Sequence, residues 1–468
     1  MRYHALATDY DGTLAHHGRV TPSTLAALVR VQSSGRRLVM VTGRELPELL
    51  TVFPEADMFD WIVAENGALL YRPSTKEEKV LADAPSEKFV SALVARGVAP
   101  MSVGRVIVAT WEPHEKAVLE TIHEQALELQ VIFNKGAVMV LPSGINKATG
   151  LKAALAEMSL SSHNVVGVGD AENDHAFLHF CGLSAAVANA LPAVMDTADV
   201  TLRADHGDGV AELIDRLIAD DCRRLEKRLS RRTLVLGRSG GADAPIETHD
   251  QTVLVCGPSA TARCGATTRL LETLLAEQYQ FCLVDSEGGY HNLHSAVVVG
   301  GTENPPAVDE VVQLLSVPSA NGIVNVAKLP AADRPAFFLS LLPALAQLRA
   351  GAGRPHWIVL DDALHILPTP GNLPESVARG DLANLALVTE RPELLPPALL
   401  ALITTLIVVG PNSQETFAAF CAATGRPAHA LDRREIDLDD FLLWSPQSDT
   451  PPRVVQRAPA PAHILPAH

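Results

Sequence analysis

Cysteine is sparse in this 468-residue chain: Cys181, Cys222, Cys256, Cys264, Cys282 and Cys421 are scattered and form no CxxC pair. That scatter implies neither a zinc site nor a disulfide framework. Aromatic residues make up only 4%, too few for the stacking platforms that bind single-stranded nucleic acid. Lys and Arg number 38 against 54 Asp and Glu, and a formal charge of -16 argues against the whole protein binding a phosphate backbone. No stretch of ~18 uninterrupted apolar residues occurs, so no membrane span is expected. Met1-Arg2-Tyr3-His4 leads into a short apolar strand rather than a signal peptide. The expectation is a soluble cytoplasmic protein. Hydrophobic residues at 47% and charged residues at 20% allow sizeable cores. At ~100–200 residues per domain the length suggests two or three domains.

Apolar runs at residues 5–8, 38–42, 165–168, 253–256, 281–284, 357–360 and 385–389 alternate with amphipathic segments, the pattern of βα units around a mostly parallel sheet. The basic stretch 220–232 is read either as a nucleic-acid arm or as the solvated end of a helix leaving the first domain. Residues 226–250 are expected to be a linker. The proline-rich residues 446–468 are expected to be a disordered tail.

The strongest chemical signal is Ala5-Leu6-Ala7-Thr8-Asp9-Tyr10-Asp11-Gly12-Thr13. An apolar strand delivers carboxylates at i and i+2, positions that share a face, at the strand end where ligands of open α/β sheets gather. Two acids there repel unless a cation or a shared proton intervenes. A hard divalent ion with oxygen ligands, most simply Mg²⁺, meets that need. Thr42 and Gly43 end a second strand and offer a hydroxyl and backbone N–H groups to a phosphate oxygen. Lys147 supplies a cation ahead of the helix-like stretch 148–157. A third strand ends in the acids of Gly169-Asp170-Ala171-Glu172-Asn173-Asp174.

Together these motifs resemble the haloacid dehalogenase superfamily, with DxDGT, a strand-end Thr, a Lys and GDxxND. Glu65-Asn66-Gly67-Ala68 and the insert before Lys147 resemble its Cof-type, or type IIB, members. The resemblance implies a Rossmann-like α/β core over residues 1–79 and 146–225, with a small α+β cap over 80–145. The cap reads as helix 86–96, strand 105–110, helix 115–127 and strands 131–133 and 137–141. It further implies that Asp9 attacks phosphorus and that Asp11 serves as acid and then base. Thr42, Gly43, Lys147 and Asn173 would bind the phosphoryl group. Mg²⁺ would be held by Asp9, the Asp11 carbonyl and Asp170, with Asp174 either a ligand or a support behind them. Asp11 favours a phosphatase acting on a small phosphorylated metabolite, with a sugar phosphomutase as the nearest alternative. Within the cap, His114, Glu115, Lys116 and Asn134 either reach a substrate headgroup or are ordinary surface residues.

Residues 251–445 read as a second α/β domain. Gly257-Pro258-Ser259-Ala260-Thr261-Ala262-Arg263-Cys264 follows a strand, with a helix expected at 267–277. It is similar to the GxxxxGK[ST] phosphate loop, and Asp361-Asp362 closes a strand as a Walker B element does. The half resembles a P-loop ATPase of the HerA-type motor class with a decayed loop. The resemblance places Gly257, Arg263 and Asp361 at an ATP site. Ala262 adds a Cβ where backbone must approach phosphate, Arg263 is bulkier than Lys, and a thiol is a poor Mg²⁺ ligand. These departures argue against hydrolysis of ATP there, and a nucleotide-responsive regulatory or partner-binding protein is the competing reading of the whole chain.

Overall fold

The computed structural model describes residues 1–226, 233–290, 292–293, 295–301, 304–368, 373–378, 382, 384–429, 436–437 and 440–457. The chain divides into two compact units, Met1–Leu229 and Ser230–His468. Among the described residues no helix is long and apolar enough to cross a membrane.

The first unit contains β1 (Ala5–Thr8), β2 (Arg37–Val41), β3 (Trp61–Ala64), β4 (Leu69–Arg72) and β5 (Glu77–Val80). An insert follows with β6 (Ser102–Val103), β7 (Val108–Trp111), β8 (Leu129–Asn134) and β9 (Ala137–Pro142). Then come β10 (Val165–Gly169), β11 (Leu183–Ala186) and β12 (Val200–Thr201). The main sheet runs β12-β11-β10-β1-β2-β3-β4-β5. It is parallel from β12 through β3 and antiparallel beyond. β1, apolar up to Thr8, and β10 are buried on both faces, as central parallel strands are. In register, Thr8 faces Val168 on one side and Met40 on the other. The residues that leave these strands therefore emerge together at one sheet edge.

The cap sheet, β6-β7-β9-β8, is antiparallel throughout. Alternation along β9 gives it two faces. Val138 and Val140 pack with Phe89, Leu93 and Val118 of the helices Glu87–Ala95 and Glu115–Glu124. Met139 and Leu141 pack with Val106, Ile107 and Ala68. The first cap helix starts where Ser86 accepts the Phe89 N–H. The strand expected at 105–110 begins only at Val108, because the N–H groups of Arg105, Val106 and Ile107 are taken by the buried Glu65 carboxylate at 2.9, 2.7 and 3.0 Å.

His4, just ahead of β1, is buried, and burial lowers its imidazole pKa to about 4. The native state thus favours neutral His4, so its contribution is complete above the ordinary value near ~6.5 and is lost as pH falls toward 4. Urea unfolding is expected to show the first unit about 2 kcal/mol less stable at pH 5 than at pH 7.5 through this group. His4→Gln should remove that part of the pH dependence, and an unchanged profile would refute it.

In the second unit the order is Ala242–Glu247, Thr233–Ser239, Arg453–Arg457, Asp440–Trp444, Thr405–Val409, Thr252–Cys256, Leu385–Thr389, Trp357–Leu360, Phe281–Asp285, Gly322–Asn325, Val297–Val299. Two expectations are corrected here. Much of the linker expected at 226–250 is a β-hairpin, Thr233–Ser239 paired antiparallel with Ala242–Glu247. Leu234, Leu236, Ala244 and Ile246 alternate into the core, and Gly240-Gly241 makes the turn. The glycines and acids of that stretch masked a period-two pattern. The tail expected from 446 includes the strand Arg453–Arg457, paired with Asp440–Trp444 and burying Val455. Lys227, Arg228, Arg231, Arg232 and residues 458–468 lie outside the described residues.

Candidate active site

The shared carboxyl edge of β1, β2 and β10 builds the site. Asp9, Asp170 and Asp174 are buried, and one carboxylate oxygen from each lies within 4.8 Å of the others. Lys147, the first residue of the helix Lys147–Glu157, is also buried and reaches Asp9 Oδ1 at 2.5 Å and Asp174 Oδ1. That helix is fixed by a capping box between Asn146 and Thr149. Asp174 Oδ2 accepts the Asp170 and Ala171 N–H groups at 2.8 and 2.9 Å, so this carboxylate both shapes its own loop and holds the lysine. Thr13 Oγ1 donates to Asp170 Oδ1 at 2.8 Å. The loop closes tightly at Gly12, whose φ is +86° and where a Cβ would fall 2.4 Å from Asp170 Oδ2.

Charge in this cluster is unbalanced. Burial, with Asp174 nearby, holds the Asp9 carboxyl well above the usual range, only partly offset by Lys147. Burial likewise raises Asp170, against the opposing pull of Lys135 and Thr13. For Lys147 burial acts to lower the pKa, but Asp174 and Asp9 outweigh it and the ammonium is held above its ordinary value. Three buried carboxylates with oxygen donors and excess negative charge fit a hard divalent cation.

Asp11 does not join this cluster. Its carboxylate is gripped in a two-pronged ion pair by Arg44, Nε to Oδ2 at 2.6 Å and Nη2 to Oδ1 at 2.7 Å. The expectation that two acids at i and i+2 share one cation is thus modified for the side chains: Asp11's charge is met by Arg44. Thr42 is buried and its hydroxyl accepts the Arg44 N–H at 3.1 Å. Asn173 donates to Asn66 Oδ1 at 2.9 Å and lies beside Gly43, where a built Cβ would be 3.6 Å from Asn173 Nδ2. Asn173 Oδ1 and Asn66 Nδ2 are buried with no protein partner, a polar recess beside Thr42.

The haloacid dehalogenase-like hydrolase profile matches residues 6–96 and 101–214. The first unit is a haloacid dehalogenase-like hydrolase domain. Over 222 residues it is 29% identical to the phosphoglycolate phosphatase of Methanothermobacter thermautotrophicus, spanning 46% of this chain and 98% of that protein. Phosphoglycolate phosphatase 2 of Saccharolobus solfataricus is 28% identical over 219 residues, 46% of this chain and 92% of that protein. A solved haloacid dehalogenase-like hydrolase from Bacteroides thetaiotaomicron covers 46% of this chain and 99% of its own, with 20% identity and a TM-score of 0.41.

Within the hydrolase domain, Asp9, Lys147, Asp170 and Asp174 form the cluster, Asn173 belongs to the same loop as Asp170 and Asp174, and Gly43 and Thr42 neighbour Asn173 and Asn66. Of the cap residues considered from sequence, His114 bonds the Ala99 carbonyl at 2.9 Å and Lys116 pairs with Glu120 at 3.9 Å on an exposed helix. Sequence reasoning missed Lys135, Arg44, Asn66 and Glu65 as separate actors. Lys135, in the turn between β8 and β9, reaches Asp170 Oδ2. Arg44 was visible as the residue after Thr42-Gly43. Lys135 left no local signal.

In the second unit the helix starts at Ala260, not at Thr267, with Ser259 accepting the Ala262 N–H at 3.2 Å. Only Gly257, Pro258 and Ser259 separate strand from helix. Gly257 has φ +155°, and a Cβ there would lie 2.0 Å from Val409 O. Arg263 folds back and donates to the Gly257 carbonyl at 2.6 Å, across the short loop between strand and helix. Asp361 lies near Asp285, and burial pushes its carboxyl up to about 7. Asp361 also acts on Cys264, whose thiol is raised mainly by burial.

Proposed function

We propose that the hydrolase domain is a magnesium-dependent phosphatase that cleaves a small phosphate monoester through an aspartyl-phosphate on Asp9. The observation that carries this is the buried convergence of Asp9, Lys147, Asp170 and Asp174 at one sheet edge. By class the chain is a phosphoric monoester hydrolase. An Asp9 oxygen forms the bond to phosphorus as the ester oxygen leaves and takes a proton from Asp11. Asp11 then removes a proton from water, whose oxygen attacks phosphorus and releases inorganic phosphate and free Asp9. In this reading Asp11 exchanges the Arg44 fork for the leaving-group oxygen. Lys147, the Thr42 hydroxyl and the Asn173 amide hold the phosphoryl oxygens as charge builds on them. Asp9, the Asp11 carbonyl and Asp170 would hold Mg²⁺, which when bound supplies charge neutralisation at the phosphoryl group. Asp174 keeps Lys147 and the Asp170 loop in place. The names of the relatives favour phosphoglycolate or a similarly short ester.

The test is phosphate release from p-nitrophenyl phosphate and from 2-phosphoglycolate, with Mg²⁺ and with EDTA. Metal-dependent free phosphate is expected. No release under any condition would overturn the reading, and an isomerised ester from a sugar phosphate would shift it to a phosphomutase.

For the second unit we propose a P-loop-like domain that does not turn over nucleotide, with Arg263 filling the place of phosphate at Gly257. The Asp9→Asn chain is expected to show no ATP hydrolysis. Steady ATPase activity in that variant would sink this assignment.

A further inference from the structure

Lys135 stands at the tip of the cap hairpin with φ +47°, and its half-exposed ammonium crosses to the fully buried Asp170. It also lies against the nucleophile loop: a Cβ built on Gly12 would be 2.7 Å from Nζ. Two other cations of the site are committed to acids. Lys147 is held by Asp9 and Asp174, and Arg44 by Asp11 and Glu48. Lys135 is different: Lys147 is fully buried between two acids of the carboxylate cluster, whereas Lys135 is half-exposed and rests on one of them, Asp170. Once a cation engages Asp170, the ammonium is left facing the pocket without its counter-charge. A half-buried ammonium in that position calls for another anion. Asp170 and Asp9 offer oxygens within 4.8 Å of one another, which puts an anion held by Lys135 close to the proposed nucleophile.

We propose that Lys135 is the specificity residue of this site, its ammonium binding a carboxylate carried two or three atoms from the ester oxygen of the substrate. The inference rests on the phosphatase reading and narrows it to short carboxylate-bearing phosphate esters. It also makes Lys135 a competitor for Asp170 when the cation is absent.

The experiment compares kcat/KM for 2-phosphoglycolate with that for 2-hydroxyethyl phosphate, the uncharged counterpart, in wild type, Lys135→Met and Lys135→Arg. Losing one charge-assisted contact should lower the ratio on the order of 10–100-fold in Lys135→Met, with most of it restored in Lys135→Arg. Calorimetric titration of the metal-free protein with Mg²⁺ should show tighter binding in Lys135→Met. A ratio within about twofold of wild type overturns the proposal, even if magnesium binds more tightly, since Lys135 would then only compete for the metal position. An absence of p-nitrophenyl phosphate turnover in wild type removes the phosphatase reading beneath it, a failure separable from an unchanged ratio.

Discussion

Asp9→Asn is expected to lower phosphate release from p-nitrophenyl phosphate by at least ~10³-fold while the protein stays folded. The amide keeps the shape of the carboxylate but is no nucleophile toward phosphorus, so a contribution that only positions other groups would leave far more activity. Asp9 is nearly fully buried and its nearest cation is the Lys147 ammonium at 2.5 Å. The substitution also removes one negative charge from a cluster in which burial and Asp174 already disfavour ionised Asp9. Thermal unfolding of the metal-free variant should therefore occur at or above the wild-type temperature. A variant that loses activity together with its cooperative unfolding transition would show collapse instead of lost chemistry. Retention of more than a tenth of wild-type turnover would remove Asp9 as the nucleophile.

Lys147→Met carries the second large effect, and it acts on stability as well as on rate. The ammonium is fully buried between Asp9 and Asp174, and the methionine fills similar volume without charge. Removing one partner of a buried ion pair leaves uncompensated charge, which costs about 3–5 kcal/mol. Three carboxylates then face one another, with Lys135 paired to one of them. Metal-free Lys147→Met should unfold at a markedly lower temperature. Added Mg²⁺ should recover more stability in the variant than in wild type, because an ion bound to the native state stabilises it by mass action. Turnover should fall on the order of 10²–10³-fold even at saturating Mg²⁺, as when one donor to a transition-state oxyanion is removed. Differential scanning calorimetry with EDTA and with Mg²⁺ reads both parts. Equal magnesium shifts in variant and wild type would show that Lys147 does not neutralise the cluster.

Asp9, Thr42, Lys147 and Asp170 were legible in the sequence because each sits directly at the end of an apolar strand or the start of a helix. A strand that is apolar throughout and buried on both faces leaves its first polar residue at the edge of a parallel sheet. Lys135 was not legible, because it lies in a hairpin turn of the insert, 35 residues before Asp170, and nothing local marks which way that turn faces. Arg44, the residue after Thr42-Gly43, carried no signal of its own in the sequence. Its grip on Asp11 depends on how β1 and β2 lie side by side, with Thr8 opposite Met40. Glu65 carries its role through three backbone N–H groups some 40 residues later. In the second unit, glycine and acidic residues hid the hairpin Thr233–Ser239 and Ala242–Glu247, and Ser259 started the helix earlier than its apolar pattern suggested.

By itself, then, the order of residues determined the parallel α/β core, the insert and the chemical groups at the strand ends, because burial periodicity and motif spacing are local properties of a chain. Tertiary structure alone decided which charges meet. Asp11 pairs with Arg44, Asp170 with the cap's Lys135, and Arg263 turns back on Gly257. Ion pairs between segments far apart in the chain depend on the register and packing of whole elements. Those are set by the combined burial of many side chains and by no single motif.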